Sequence, residues 1–221
     1  MKLSETELQE LAQQLRCPDG DNGLKTAEMM NFTNSNIISK TIESLNLKND
    51  DAVLEIGPGN GAHIKEVIQA AANIEYKGID ISETMVAEAQ KLNADYDNVS
   101  FRLTDGEHIP FSENQFDKIF TCNTIYFWKD PQDYANEIAR VLKEHGTVCI
   151  GFIPKSTMQK IPFAKYGFTL YDIETVTGLM ETSGLIVASA ITDTEMVMGN
   201  NGQEIEREFV VLTAKKIALV Q

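Results

Sequence analysis

The chain has 221 residues, a hydrophobic fraction of 43% and a formal net charge of −14. The length suits one α/β domain with an N-terminal extension, and the apolar content is too high for a disordered chain. So acidic a surface repels phosphate backbones and anionic membranes at long range, which argues against nucleic-acid partners.

No apolar run approaches the roughly 18 residues a membrane-spanning helix needs, so no stable membrane insertion is expected. The start Met1-Lys2-Leu3-Ser4-Glu5 lacks an apolar signal core, which predicts a cytoplasmic protein. Cys17, Cys122 and Cys149 are scattered, fitting a reducing compartment better than a disulfide framework. They also lack metal-ligand spacing, and no metal is expected.

Ser4 and Glu7 predict a capping box, with Leu8, Leu11, Ala12 and Leu15 at helical spacing behind it. Cys17-Pro18-Asp19-Gly20 should end that helix, and Ile37, Ile38, Thr41, Ile42 and Leu45 suggest a second. An alternation then begins. Strands are predicted at Ala52–Ile56, Glu75–Ile79, Val99–Leu103, Phe116–Cys122 and Thr147–Ile153. Helices are expected over Gly61–Ala72, after Ser82 and after Asp130-Pro131. Such alternation implies a parallel sheet with right-handed crossovers. The ending breaks the rhythm. After a helix over Asp172–Ser183, Leu185–Ile191 and Glu208–Ala214 read as two antiparallel strands around a loop holding Gly199-Asn200-Asn201-Gly202.

Three segments carry the chemistry. Glu55-Ile56-Gly57-Pro58-Gly59-Asn60-Gly61 puts glycines where a strand turns into a helix, a place suited to an anionic or phosphate-bearing ligand. Alone it also satisfies the dinucleotide pattern, or a tight turn with no ligand. Asp80, with Ile81 beside it, ends the second strand, where an acid can accept both hydroxyls of a ribose. Thr104-Asp105-Gly106-Glu107 follows the third strand; Asp105 can accept from an adenine amine while the backbone of Gly106 and Glu107 reads the ring edge.

Taken together, the stretches Val53–Gly61, Gly78–Ser82, Thr104–Phe111, Phe116–Pro131 and Arg140–Ile153 resemble the class I S-adenosylmethionine-dependent methyltransferases. The likeness is to the branch of small ubiquinone/menaquinone-type C-methyltransferases. It implies a three-layer, Rossmann-like α/β fold with a seven-stranded, mostly parallel sheet of order 3-2-1-4-5-7-6, the last strand antiparallel. It further implies S-adenosylmethionine as cofactor and S-adenosylhomocysteine as product. Glu55 would orient the methionine amino end; Gly57, Gly59 and Gly61 would pass beside the cofactor; Asp80 would hold the ribose, Asp105 the adenine amine, and Asn123 would face the methionine portion or the acceptor.

Residues 1–48 are expected to form a helical extension or lid and residues 49–221 the cofactor-binding domain. Methyl transfer needs mostly positioning, so no catalytic residue is assigned; Tyr126 and Tyr166 are candidates for a base or an orienting group. Asn123 and Tyr126 are spaced like the ends of the Asn-Pro-Pro-Tyr motif of base-modifying enzymes, but the prolines are missing. Tyr126, Phe127 and Trp128 fit an aromatic pocket or the core equally. Pro18–Asn36 and Pro154–Thr169 fit a lid over a hydrophobic small-molecule acceptor, a homodimer contact or ordinary core. His63 is expected to be exposed or near the cofactor, and His108 and His145 to be non-catalytic. The competing classes are a nicotinamide-dependent oxidoreductase and a cofactor-binding protein without activity.

Overall fold

Five strand segments alternate with helices, and all but the edge segment Val99–Leu103 bury side chains on both faces. In β1 (Ala52–Ile56) Val53 faces one buried cluster and Leu54 the other; in β4 (Phe116–Cys122) Phe120 and Ile119 divide the same way. This two-sided burial is what a parallel sheet between two helical layers requires. The computed structural model describes residues 3–198 and 204–218. The Gly199–Gly202 loop expected between the last two strands lies outside them.

β2 (Glu75–Asp80) and β4 flank β1, β3 (Val99–Leu103) lies beyond β2, and β5 (Leu142–Phe152) lies beyond β4, all parallel. β7 (Glu204–Lys216) pairs antiparallel with β5 and with β6 (Leu185–Met198), giving the order β3-β2-β1-β4-β5-β7-β6. The predicted order and the antiparallel ending are both present.

The N-terminal segment is more helical than its composition suggests. α1 (Glu5–Arg16) begins on the predicted capping box, with Ser4 N–H donating to Glu7 at 2.7 Å. α2 (Gly20–Thr33) occupies a stretch read only as a Gly-, Asn- and Met-rich cover. Tertiary contacts override weak propensity there. The Gly20 N–H donates to Thr84 Oγ1 at 3.2 Å, and Gly23 lies so near Pro18 that a Cβ would sit 2.6 Å from its carbonyl carbon. α3 (Ser35–Leu45) buries Ile37, Thr41, Ile42 and Leu45 against β4 and β5.

α4 (Ile64–Ala70) is shorter at both ends than predicted. α5 (Glu83–Leu92) is capped by Ser82, whose Oγ accepts the Met85 N–H at 3.1 Å. α6 (Pro131–Val141) starts on Asp130 with Pro131 in its first turn, as predicted. The short α7 (Lys155–Met158) precedes α8 (Ile173–Thr182).

The terminal hairpin runs well past its predicted limits. β5 pairs only with Val210–Lys215, and the rest of β7 continues with β6 as a two-stranded ribbon. Charged residues in that ribbon hid it from a hydrophobicity reading. Glu195 and Arg207 face each other across it, both nearly inaccessible, with Arg207 Nε 2.9 Å from Glu195 Oε1. Arg207 Nη2 also donates to the Thr33 carbonyl at 2.6 Å, tying the ribbon to the α2–α3 junction.

Candidate active site

The β1–α4 turn is built by its glycines. Gly57 has φ +74°, and its N–H donates to Ile79 O at 2.8 Å, lashing the turn to β2. A Cβ on Gly57 would stand 2.4 Å from Thr124 Cγ2. Gly59, at φ +57°, has open space where a Cβ would be, and its N–H donates to Asp80 Oδ2 at 3.0 Å. Gly61 behaves differently. A Cβ on it would meet Ala89 of α5, Asn93 just beyond that helix and Phe101, and it lies outside the lining of the cavity described below. Its small size serves helix packing.

Asp80 ends β2, is 7% exposed, and receives a second backbone N–H, from Ser82, at 2.9 Å. Burial raises its pKa to about 6 although these N–H groups oppose the shift. With two backbone donors and no basic partner among the described residues, this buried carboxylate has lone-pair positions left for further donors, the chemistry of a vicinal diol.

Asp105 sits at the rim, with its side chain 60% exposed. Its Oδ1 accepts the N–H groups of Glu107 and His108 at 2.8 and 2.9 Å, bonds that hold its pKa down to about 2. The carboxylate therefore shapes its own turn as well as facing the cavity. Glu107 pairs with Lys129 at 2.7 Å on the same rim.

At the opposite end, Glu55 is 2% exposed. Tyr76 Oη donates to its Oε2 at 2.5 Å, and His63 Nε2 lies 2.9 Å from both of its oxygens. A ring nitrogen facing two carboxylate oxygens carries the proton, so His63 Nε2 is the donor. Asn123, at the end of β4, adopts φ +58° and receives the Tyr126 hydroxyl on Oδ1 at 3.1 Å.

These groups enclose a cavity of about 210 Å³. Glu55, Gly57, Gly59, Asp80, Ile81, Asp105, Gly106, Glu107 and Asn123 all line it. Of the aromatic trio, Phe127 and Trp128 line it too, whereas Tyr126 is core: its hydroxyl accepts the Ile153 N–H at 2.6 Å, and burial pushes its pKa well up. Tyr166 is half-buried outside the cavity, beneath Lys165. Neither tyrosine candidate presents its hydroxyl to the cavity. Met30, Asn31 and Asn34, from the Pro18–Asn36 segment, close one side, while Pro154–Thr169 contributes nothing to the lining. Sequence reasoning missed Arg16, Ile38 and Tyr134 in the wall and the Glu55–His63–Tyr76 cluster. Among the described residues no group of three or more His, Cys, Asp or Glu side chains could hold a metal.

A family model described as a methyltransferase domain matches residues 54–150. The chain is 31% identical over 121 residues, 52% of its length and 67% of the relative's, to YrhH of Bacillus subtilis (strain 168), a protein bearing a methyltransferase name. It is 32% identical over 100 residues to the demethylmenaquinone methyltransferase of Tropheryma whipplei (strain Twist), covering 45% of this chain but only 41% of that enzyme. Among solved structures, Haemonchus contortus phosphoethanolamine N-methyltransferase 2, in complex with phosphomonomethylethanolamine and S-adenosylhomocysteine, superposes with a TM-score of 0.69 at 15% identity. That match covers 88% of this chain and 57% of the other. The region matched by the family runs from β1 through β5, the same frame that carries the glycine turn, Asp80 and Asn123, and the chain belongs to the class I S-adenosylmethionine-dependent methyltransferases.

Proposed function

We propose that this protein binds S-adenosylmethionine in the cavity at the β1–α4 turn and transfers its methyl group to a small organic acceptor. The observation that carries this reading is the buried Asp80 carboxylate set against the open face of Gly59, with lone pairs left for a ribose diol. The cofactor, when bound, supplies an electrophilic sulfonium methyl. Everything else falls to this chain's own groups. Asp80 accepts the ribose hydroxyls, and Trp128, Ile81 and the Asp105–Glu107 turn hold the adenine. Glu55, His63 and Asn123 form the methionine end.

Residues 1–48 act as a cover on the cofactor-binding unit 49–221. α2 and the α2–α3 junction bring Met30, Asn31 and Asn34 to the wall, and Ile38, Cys122 and Phe127 make the neighbouring surface apolar. This supports an acceptor small enough to be enclosed, with an apolar body and a polar atom for an asparagine amide. Water exclusion and alignment supply the rate, since an in-line displacement gains chiefly from orientation. Three free thiols, one of them fully buried, support a reducing cytoplasm. The charge of −14 supports a small molecule over a nucleic acid as substrate.

Transfer of labelled methyl from S-adenosylmethionine to a panel of quinol, phenol, amine and carboxylate acceptors tests the reading. Turnover of any one, with formation of S-adenosylhomocysteine, is expected. Tight binding of the methyl donor with no turnover across the panel would favour a cofactor-binding protein without activity.

A further inference from the structure

The cavity wall turns a corner where α2 meets α3. Met30 and Asn31 belong to the last turn of α2 and Ile38 to the first turn of α3, while Asn34 closes one helix and opens the next. All four residues line the cavity. Asparagine is among the best residues for capping a helix start, a bond worth about 1 kcal/mol. Asn34 makes no side-chain cap on α3. Its Oδ1 instead accepts from Arg207 Nη2 at 3.3 Å, and the same nitrogen donates to the Thr33 carbonyl at 2.6 Å. Thr33 ends α2, so that carbonyl has no partner within its helix, and the guanidinium stands at the helix's negative end.

Arg207 comes from the far part of the hairpin, beyond the stretch of β7 that pairs with β5. Its Nε lies 2.9 Å from Glu195 Oε1, and the two side chains are 11% and 5% exposed. Neither residue lines the cavity, and both lie outside the region matched by the family model. Two apolar side chains would hold the strands together as well as a buried ion pair does. What the charged pair adds is a fixed donor for the corner.

We infer that Arg207, fixed by Glu195, is a positioning residue: through the Thr33 carbonyl and Asn34 it holds the α2–α3 corner against the bound methyl donor, so the distal hairpin governs how long that ligand is retained. This rests on the cofactor assignment above. A pair that only stabilised the hairpin would affect unfolding and leave retention alone, and the two effects can be read separately.

The double variant Glu195→Leu/Arg207→Leu removes both buried charges, and with them the donor to the corner, without stranding either partner. Its unfolding free energy should stay close to that of the wild type. S-adenosylhomocysteine should nevertheless dissociate from it roughly 3- to 30-fold faster in stopped-flow measurements, the range expected when coupling to a site is lost. Glu5→Gln, which frees α1 from its exposed ion pair with Lys165, should leave the dissociation rate within twofold. An unchanged rate in the folded double variant, or an equal rise in Glu5→Gln, overturns the inference. Hydrogen exchange on the wild-type protein gives a second measurement that does not depend on a variant folding. S-adenosylhomocysteine should slow amide exchange in residues 193–197 and 205–209 as well as at the corner, although neither ribbon stretch lines the cavity. Protection confined to the residues of the wall contradicts the coupling. If S-adenosylhomocysteine does not bind the wild-type protein, the cofactor assignment itself fails, which is a distinct result.

Discussion

The Asp80 carboxylate accepts the backbone N–H of Gly59 at 3.0 Å, joining the end of the second strand to the turn that follows the first. One buried acid thus holds the glycine turn in shape and faces the cavity with its remaining lone pairs. Its folded-state pKa, about 6, lies above the ordinary 3.8. A carboxyl raised in this way contributes stability that is full below about 3.8 and lost as pH rises through about 6.

The first prediction follows from that sign. Without ligand, the unfolding free energies of the wild-type protein and Asp80→Asn should diverge with pH. Between pH 4 and pH 8 the difference should move in favour of the variant by roughly 2–3 kcal/mol, since one pKa unit corresponds to about 1.4 kcal/mol. Urea titrations across that window measure it, and parallel pH curves would remove Asp80 as the source.

The two turn glycines should fail differently. Gly57→Ala places a methyl 2.4 Å from Thr124 Cγ2 at a positive φ, and should lose roughly 2–4 kcal/mol of stability. Gly59→Ala meets no protein atom and should lose only about 1 kcal/mol, yet its methyl projects toward ligand space. The expected pattern is a stable Gly59→Ala protein with impaired nucleoside binding. Thermal unfolding alongside a binding titration reads both effects.

The Glu195–Arg207 pair fastens the hairpin to the α2–α3 junction. Arg207→Leu leaves Glu195 buried without its partner, and should destabilise by roughly 3–5 kcal/mol. Adding Glu195→Leu should recover most of that loss, because both buried charges are then gone. A double-mutant cycle by chemical denaturation gives the coupling. Additive losses would mean the pair is not the clasp it forms in this structure.

Tyr126 should prove structural. Tyr126→Phe strips the acceptor from the Ile153 N–H and should lose roughly 1–3 kcal/mol of stability. Affinity for S-adenosylhomocysteine should stay within a few-fold. A loss of turnover by two orders of magnitude in a well-folded variant would restore Tyr126 as a reacting group.

Much of this was legible in the residues. The parallel sheet and the antiparallel ending followed from β segments alternating with helices and then ceasing to alternate, whereas the strand order came with the family resemblance. Asp80 was legible because a strand end fixes which residue reaches the turn. The Glu55–His63–Tyr76 cluster was not: it joins β1, β2 and the start of α4, and no spacing along the chain shows that His63 and Tyr76 share the Glu55 carboxylate. The packing role of Gly61 was hidden for a related reason. Its pattern position matched that of its neighbours, but the turn rotates it toward Asn93. α2 was hidden by Gly and Asn residues whose poor helix propensity is overcome by packing on Pro18 and Thr84. The distal hairpin was hidden by Glu195 and Arg207, a buried pair that reads as exposed loop.

The central claim is that Asp80 and the glycine turn form a site for the methyl donor. Isothermal titration of S-adenosylhomocysteine and NAD into the wild-type protein and Asp80→Ala tests it most directly. The account predicts saturable binding of S-adenosylhomocysteine, weakened by roughly 1–3 kcal/mol in the variant, and much weaker binding of NAD. Tight NAD binding with none of S-adenosylhomocysteine, or equal affinity of both proteins for S-adenosylhomocysteine, would contradict it.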